Sequence, residues 1–365
     1  MADEVRYGII GSGMMGIEHM LNLAAVDGAT VTAIADPEPA SRELALAFAG
    51  PGTATPAGTD IAEFDHHDDL LASGRCDAVV VATPNMTHVD VLVDVLAHGV
   101  DVLVEKPLCT TVADCRRVID AADGHSGVVW VGLEYRYMPP VARLIDHVRQ
   151  GDIGRVRMLA IREHRFPFLA KVGDWNRFNR NTGGTLVEKC CHFFDLMAHV
   201  IGSPPVRVLA SGGQDVNHLD ERYEGEVPDI LDNAFVIVDF ADGARALLDL
   251  CMFAEGSEHQ EELSAVGDRG KVEAFLPQST VRLGQRPGGR HGVHTEAVHD
   301  ERVRYQGFHH GSSYLEHVDF LAAVRAGGPA AVSLADGLLS VAMGVAAQRS
   351  IEEGRPVSLD EVLVE

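Results

Sequence analysis

Apolar and polar positions follow two regimes along this chain, and the change falls near residue 132. Before it, the runs 6–10 (RYGII), 30–36 (TVTAIAD), 76–83 (CDAVVVAT), 100–104 and 128–133 are almost wholly apolar, the pattern of strands buried on both faces. Between them, 39–49, 66–73, 88–98 and 111–122 read as helices; in 88–98, Val89, Leu92, Val93 and Leu96 share one face. A Gly/Pro/Thr-rich loop is expected over 50–59. Strands alternating with helices predict βαβ units on a parallel sheet. After residue 132 a helix over 140–150 ends at Gly151, and longer strand runs follow at 155–163, 206–212 and 233–240. Ala241-Asp242-Gly243 turns the last run into 244–253, and Asp268-Arg269-Gly270 joins 262–266 to 271–275. Both read as antiparallel hairpins. The stretch 283–292 reads as a turn-rich loop, and 312–325 and 335–353 as closing helices. The pattern predicts an α/β domain over 1–131 and an α+β domain over 132–365.

The first apolar run leads without a spacer into Gly11-Ser12-Gly13-Met14-Met15-Gly16, and a helix-like stretch follows. Asp36 closes the second run, about 20 positions on. Between a strand and a helix, this spacing marks a seat for a dinucleotide's pyrophosphate. Gly11 permits a tight turn, Gly13 admits the phosphates to the backbone, and Gly16 lets helix and strand pack closely. The helix start, with Met14 and Met15, offers N–H groups and a positive dipole end to the anion. A carboxylate at Asp36 can accept both hydroxyls of the adenosine ribose and repels a 2′-phosphate, which favours NAD over NADP; nearby Arg42 keeps NADP open. The plain alternative is a Gly-rich turn that holds no ligand.

Composition narrows the partners. The chain of 365 residues is 46% hydrophobic, an ordinary globular makeup with room for a large core. No apolar run approaches the ~18 residues of a membrane span. The opening MADEVRYGII has no basic and apolar leader pattern, so a cytoplasmic location is expected. The formal charge of −24, from 54 acidic and 30 basic residues, argues against nucleic acid and anionic membranes as partners. Six cysteines lack any C-x-x-C or zinc spacing and read as reduced. Only Lys106, Lys171, Lys189 and Lys271 are lysines.

Three clusters carry candidate chemistry. Thr83-Pro84-Asn85-Met86-Thr87-His88 ends a buried strand, where ligands of open α/β sheets sit; it also reads as a turn starting the next helix. Glu105-Lys106-Pro107 ends the following strand, where a lysine can polarise a substrate hydroxyl or simply pair with Glu105. The third runs from Gly183-Gly184 to Asp195. If it is one helix, Glu188, His192 and Asp195 share a face at i, i+4 and i+7, with an imidazole between carboxylates. That arrangement suits a general base near pH 7. A His/Glu metal pair without an obvious third ligand, or a core helix with a satisfied His, would have the same spacing.

In this order the motifs G-x-G-x-x-G, an acid after the second strand, T-P-N-x-x-H, E-K-P and G-G-T-L-x-E-x-x-x-H-x-x-D resemble the Gfo/Idh/MocA oxidoreductases over nearly the whole chain. The resemblance implies an N-terminal Rossmann domain and a C-terminal α+β domain on an open, mainly antiparallel sheet that makes a homodimer or homotetramer. It implies hydride transfer between NAD(P) and a sugar or polyol, without metal, with Lys106 and His192 flanking the reacting carbon. Glu188 stands where the family has Asp, and Lys189 beside it departs from the pattern; it is expected to reach substrate or an oligomer interface. Asp174-Trp175-Asn176-Arg177 resembles a segment that contacts nicotinamide or substrate, and Tyr135-Arg136-Tyr137-Met138-Pro139 resembles the family's domain junction. On these grounds Lys106, His192 and Glu188 are expected to be catalytic. Gly11, Gly13, Met14, Met15, Gly16, Asp36, Thr83, Pro84, Asn85, His88, Glu105, Lys106 and Trp175 are expected at the cofactor. Lys106, Tyr135, Arg177, Lys189 and His192 are expected at the substrate, with loops 166–175 and 307–313, including His309 and His310, forming its face. A keto-sugar reductase of deoxysugar or antibiotic synthesis, and a regulator that binds NAD without turnover, are the alternatives. The Lys106/His192 pair argues against the regulator.

Overall fold

The computed structural model describes residues 4–48 and 60–364. The expected 50–59 loop and the last residue of the expected 39–49 helix lie outside the described residues. The chain packs as two compact units. One comprises Met1–Tyr137 with Glu301–Leu338, the other Met138–Asp300 with Leu339–Glu365. Among the described residues, no helix is long and apolar enough to cross a membrane.

The first unit is built on six parallel strands: β1 Val5–Ile10, β2 Ala29–Ala35, β3 Ala62–Phe64, β4 Ala78–Val81, β5 Asp101–Glu105 and β6 Val129–Gly132. Their order, β3-β2-β1-β4-β5-β6, is that of the Rossmann fold. The apolar runs are continuous because both faces are covered; Ala78, Val79, Val80 and Val81 are all fully buried. Helix Met14–Ala24 links β1 to β2, and helix Ser312–Ala326 packs beside it. Phe320 of that later helix meets the rings of Tyr7 and Trp130 edge-on, at 6.2 and 6.0 Å. The Trp130 indole N–H donates to Glu316 Oε1 at 3.0 Å, and the Val131 amide donates to Val332 O at 3.1 Å.

The second unit carries nine strands: β7 Val156–His164, β8 Pro205–Gly213, β9 Asn233–Phe240, β10 Arg245–Cys251, β11 Glu261–Gly267, β12 Gly270–Leu276, β13 Thr280–Gln285, β14 Val293–Ala297 and β15 Val357–Ser358. They run in the order β14-β13-β12-β11-β7-β10-β9-β8-β15. Every neighbouring pair is antiparallel except β7 with β10. One face is the core, with Leu159, Ile161, Val236, Val238, Leu248 and Leu263 buried, and helix Cys191–Ile201 packs on β7. The other face is exposed, and its centre is apolar: Met158, Leu209, Phe235 and Ile237 stand there beside the Arg207–Asp239 and Arg162–Asp249 ion pairs.

Two local expectations change. The stretch 283–292 is not all loop: β13 continues to Gln285, since its ladder with β12 reaches the Gly270–Gln285 pair. The expected helix through 183–195 is interrupted. A short turn, Thr185–Glu188, is followed by helix Cys191–Ile201, with Lys189 and Cys190 between them. The amides of Lys189 and Cys190 both donate to Thr185 O, at 3.0 and 3.3 Å, so the hydrogen-bond register slips by one residue. The Glu188 carbonyl accepts from the Cys191 thiol at 3.5 Å.

Candidate active site

The glycines of the first turn do different jobs. Gly11 has φ +90°, and a Cβ there would lie 2.7 Å from backbone atoms of Ala82 and Thr83. The fingerprint turn therefore packs on the Ala82-Thr83 backbone that leads from β4 into Pro84-Asn85. A Cβ on Gly16 would sit 2.1 Å from Gly11 O, so this position sets how closely helix Met14–Ala24 approaches the turn. A Cβ on Gly13 would meet nothing within 4 Å; its side is open. Gly13 is also the N-cap of that helix and supplies no side-chain cap to the first-turn amides, where Met14 is exposed and Met15 half-buried. Asp36 is drawn into the same turn: its Oδ2 accepts the Ser12 amide at 2.8 Å and its Oδ1 the Glu38 amide at 2.9 Å.

Two buried polar atoms here have no partner among the described residues, Ser12 Oγ and Asn85 Nδ2. With the open glycine and the uncapped helix start they fit a dinucleotide, whose phosphates and hydroxyls can satisfy such groups. Arg42 is engaged elsewhere, 2.8 Å from Asp65 and 3.8 Å from Glu63, and it also donates to Asp36 O. Thr87 Oγ1 lies 2.9 Å from Thr83 Oγ1 and 2.7 Å from Pro84 O, which fixes the turn. His88 is fully buried. Its ring nitrogens lie 2.8 Å from Pro107 O and 3.0 Å from Thr83 O, so it ties the β4 and β5 ends together, and burial lowers its pKa.

Lys106 follows directly on β5, at the same carboxyl edge of the sheet as Gly11, Asp36 and Asn85. Glu105 is not a surface partner for it but a buried acid. Its Oε2 accepts the Lys106 amide at 3.1 Å, and its Oε1 lies 2.9 Å from His19 Nε2. His19 Nδ1 in turn lies 2.8 Å from His317 Nε2. Burial works against charge on Glu105, but the His19 bond and the nearby Lys106 and His309 outweigh it and hold the carboxyl down at about 2. Around this group, Glu134 lies 3.5 Å from His309 Nδ1, and the rings of Tyr135 and His309 are 6.0 Å apart. Loop 307–313 is latched to the fingerprint helix through Glu18, whose Oε1 accepts the Phe308 amide at 3.0 Å.

In the second unit Glu188, Lys189 and His192 are all buried. Lys189 turns toward the sheet: its Nζ is 3.0 Å from Glu163 Oε1 and 5.5 Å from the Phe193 ring. Burial lowers its pKa, against the pull of Glu163. Glu163 stands opposite Glu261 across the antiparallel β7/β11 pair, and both are buried. Burial, then the Glu163 charge, pushes Glu261 up to about 7. Arg165 Nη1 lies 3.4 Å from Glu163, and Gln260 donates to Glu261 at 2.8 Å. Trp175 is half-buried on the turn Val172–Arg177, and Arg177 is buried with its Nε 3.0 Å from Glu221.

Sequence reading passed over His19, His317, Glu163 and Glu261. His19 lies three residues past Gly16 on the fingerprint helix, and that spacing is its one local signal. Nothing local marks the other three.

Residues 5–133 match the family described as "Oxidoreductase family, NAD-binding Rossmann fold", and residues 145–359 match "Oxidoreductase family, C-terminal alpha/beta domain". A myo-inositol 2-dehydrogenase of Thermotoga maritima is 30% identical over 98% of this chain and 100% of its own length. An inositol 2-dehydrogenase of Rhizobium meliloti is 27% identical over 97% and 99%. The solved structure of a levoglucosan dehydrogenase in complex with NADH superposes with a TM-score of 0.84 at 20% identity, covering 98% of this chain and 99% of that one, a likeness of fold. Matched on both of its halves, and end to end at 30% identity, the chain belongs to the Gfo/Idh/MocA family of NAD(P)-dependent oxidoreductases.

Proposed function

We propose that the protein is an NAD-dependent dehydrogenase of a sugar or polyol, with inositol-type ring alcohols as the first substrates to test. The observation that carries this reading is Lys106, the family's E-K-P lysine, which follows β5 on the sheet edge that also bears Gly11, Asp36 and Asn85. The inositol 2-dehydrogenases at 30% and 27% identity support the substrate class. When bound, NAD supplies the acceptor for the hydride leaving the carbinol carbon. His192 takes the hydroxyl proton, Lys106 polarises the same oxygen, and Glu188 orients the imidazole; the roles of His192 and Lys106 can be exchanged. Reduction of a keto sugar uses the same groups in reverse. Asp36 favours NAD over NADP, since a 2′-phosphate would meet its carboxylate while Arg42 is already engaged by Asp65 and Glu63. The exposed apolar face of the second unit's sheet serves self-association.

The test is NADH absorbance on mixing NAD with a panel of inositols and sugars. Lys106→Ala and His192→Ala should each lower turnover by about 10²–10⁴-fold, the range for lost acid–base catalysis, while NADH affinity stays within a few fold. Wild-type turnover in either variant refutes the assignment, and tight NADH binding without turnover on any alcohol favours a regulator.

A further inference from the structure

Three buried side chains join the candidate catalytic lysine to two distant helices. His317 on helix Ser312–Ala326, His19 on helix Met14–Ala24 and Glu105 at the end of β5 form a chain with links of 2.8 and 2.9 Å, and Glu105 then accepts the Lys106 amide at 3.1 Å. All three side chains are almost wholly inaccessible.

The direction of donation follows from which atoms lack partners. His317 Nδ1 is buried and has no partner among the described residues. If the proton shared by the two rings sat on His19 Nδ1, a neutral His317 would carry its own proton on Nδ1, a buried N–H with nowhere to donate. His19, donating also to the ionised Glu105, would be a buried imidazolium. If the shared proton sits on His317 Nε2, the atom left unpartnered is only a lone pair, and buried N–H groups go unpaired less often than acceptors do. Burial, with His19 adding to it, lowers the His317 pKa well below the ordinary range, which keeps that ring neutral. His317 Nε2–H therefore donates to His19 Nδ1, His19 Nε2–H donates to Glu105 Oε1, and the Lys106 amide donates to Glu105 Oε2. Every link points at one carboxylate, and neither of its oxygens is left to turn. Lys106 and His309 lie near that carboxylate, and Glu316 and Glu134 lie beyond it.

We propose that His317 and His19 are positioning residues for Lys106. They lock Glu105, and through it the Lys106 backbone, to the helix that starts at the dinucleotide seat, so that lysine and cofactor seat keep one spacing. The proposal rests on the reading of Lys106 as the group that meets substrate.

Two arms test it. In protein carrying ring-¹⁵N histidine, long-range ¹H–¹⁵N spectra across neutral pH should show His317 as a neutral Nε2–H tautomer, with His19 shifting in Glu105→Gln. The Nδ1–H tautomer at His317, or a His19 imidazolium throughout, overturns the proposal. In turnover on the best alcohol of the panel, His317→Leu should be slower by roughly tenfold or more, as for a misplaced catalytic group, with NADH affinity unchanged. His317→Gln, whose amide still donates, should recover most of the rate. A Leu variant as fast as wild type, a Gln variant as slow as Leu, or loss of NADH binding in either overturns it. Should His317→Leu not fold, the ring tautomer and the Gln variant decide. Wild-type turnover in Lys106→Ala would instead sink the reading of Lys106, and the spectra would still judge the relay.

Discussion

The Ser12 amide donates to Asp36 Oδ2 at 2.8 Å across 24 residues of sequence, so the acid that ends β2 is held against the turn that ends β1. The Glu38 amide holds the other oxygen. A carboxylate fixed at both oxygens presents its remaining lone pairs in a set direction, which is what selection of a ribose diol requires. Asp36→Ala should weaken NADH binding by about tenfold or more, the scale of lost charged hydrogen bonds, while NADPH binding improves or holds. Fluorescence titrations with both nucleotides check this; an unchanged ratio would remove Asp36 from the discrimination.

The turn's glycines should separate folding from binding. Gly16→Ala puts a methyl 2.1 Å from Gly11 O, a backbone atom that cannot move aside, and should cost roughly 1–3 kcal/mol as a lower Tm. Gly13 has φ −71° and open space around it, so Gly13→Ala should leave Tm within about a degree or two yet weaken NADH binding several-fold. Equal losses of stability in both would contradict the division.

Glu261 sets a pH dependence. Its carboxyl is pushed from an ordinary 4.5 up to about 7 in the fold. Below pH 4.5 folded and unfolded chains both hold the proton. Between 4.5 and 7 the unfolded chain releases it while the folded one keeps it, so stability falls as pH rises, by on the order of 3 kcal/mol in all. Glu261→Gln should therefore raise Tm by several degrees near pH 8, with the gain vanishing near pH 4.5. Calorimetry at both values decides; a gain that ignores pH would show that packing, not charge, is responsible.

What the residues revealed on their own depended on range. The parallel sheet was readable because Cys76 to Thr83 needs no knowledge of its neighbours to look buried, and the glycine turn because its three functions lie within six residues. His19 and His317 are 298 residues apart, and each alone is an ordinary histidine in a helix. Glu163 closes the run 155–163 and Glu261 falls just before the run 262–266, so neither stands out alone; only the β7/β11 register sets them face to face. The slip at Cys190 follows from a hydrogen bond to Thr185 that helical spacing does not foretell, so the single face expected for Glu188, His192 and Asp195 rested on a helix that is not continuous.

The open sheet face makes a claim about assembly. Phe235 is 61% exposed and Met158 58%, and Ile237 and Leu209 stand beside Phe235 across β9 and β8. We expect light scattering after gel filtration to find wild type as a dimer or tetramer, and Phe235→Asp with Ile237→Asp to reduce its mass while NADH binding persists. A monomeric wild type would leave this face without its assigned role.

Trp130 finds the acceptor for its indole only 186 residues later, at Glu316, and β6, paired with β5 on one side, gains a further backbone partner at Val332. During synthesis, therefore, all six parallel strands leave the ribosome well before their sheet can be closed. For about half of translation a finished-looking nucleotide fold carries an uncovered tryptophan, and the last stretch of the message decides when it is sealed. Protein cut after Tyr137 should behave as an unfinished chain that seeks chaperones, and a nonsense codon anywhere before residue 301 would spoil both units rather than one.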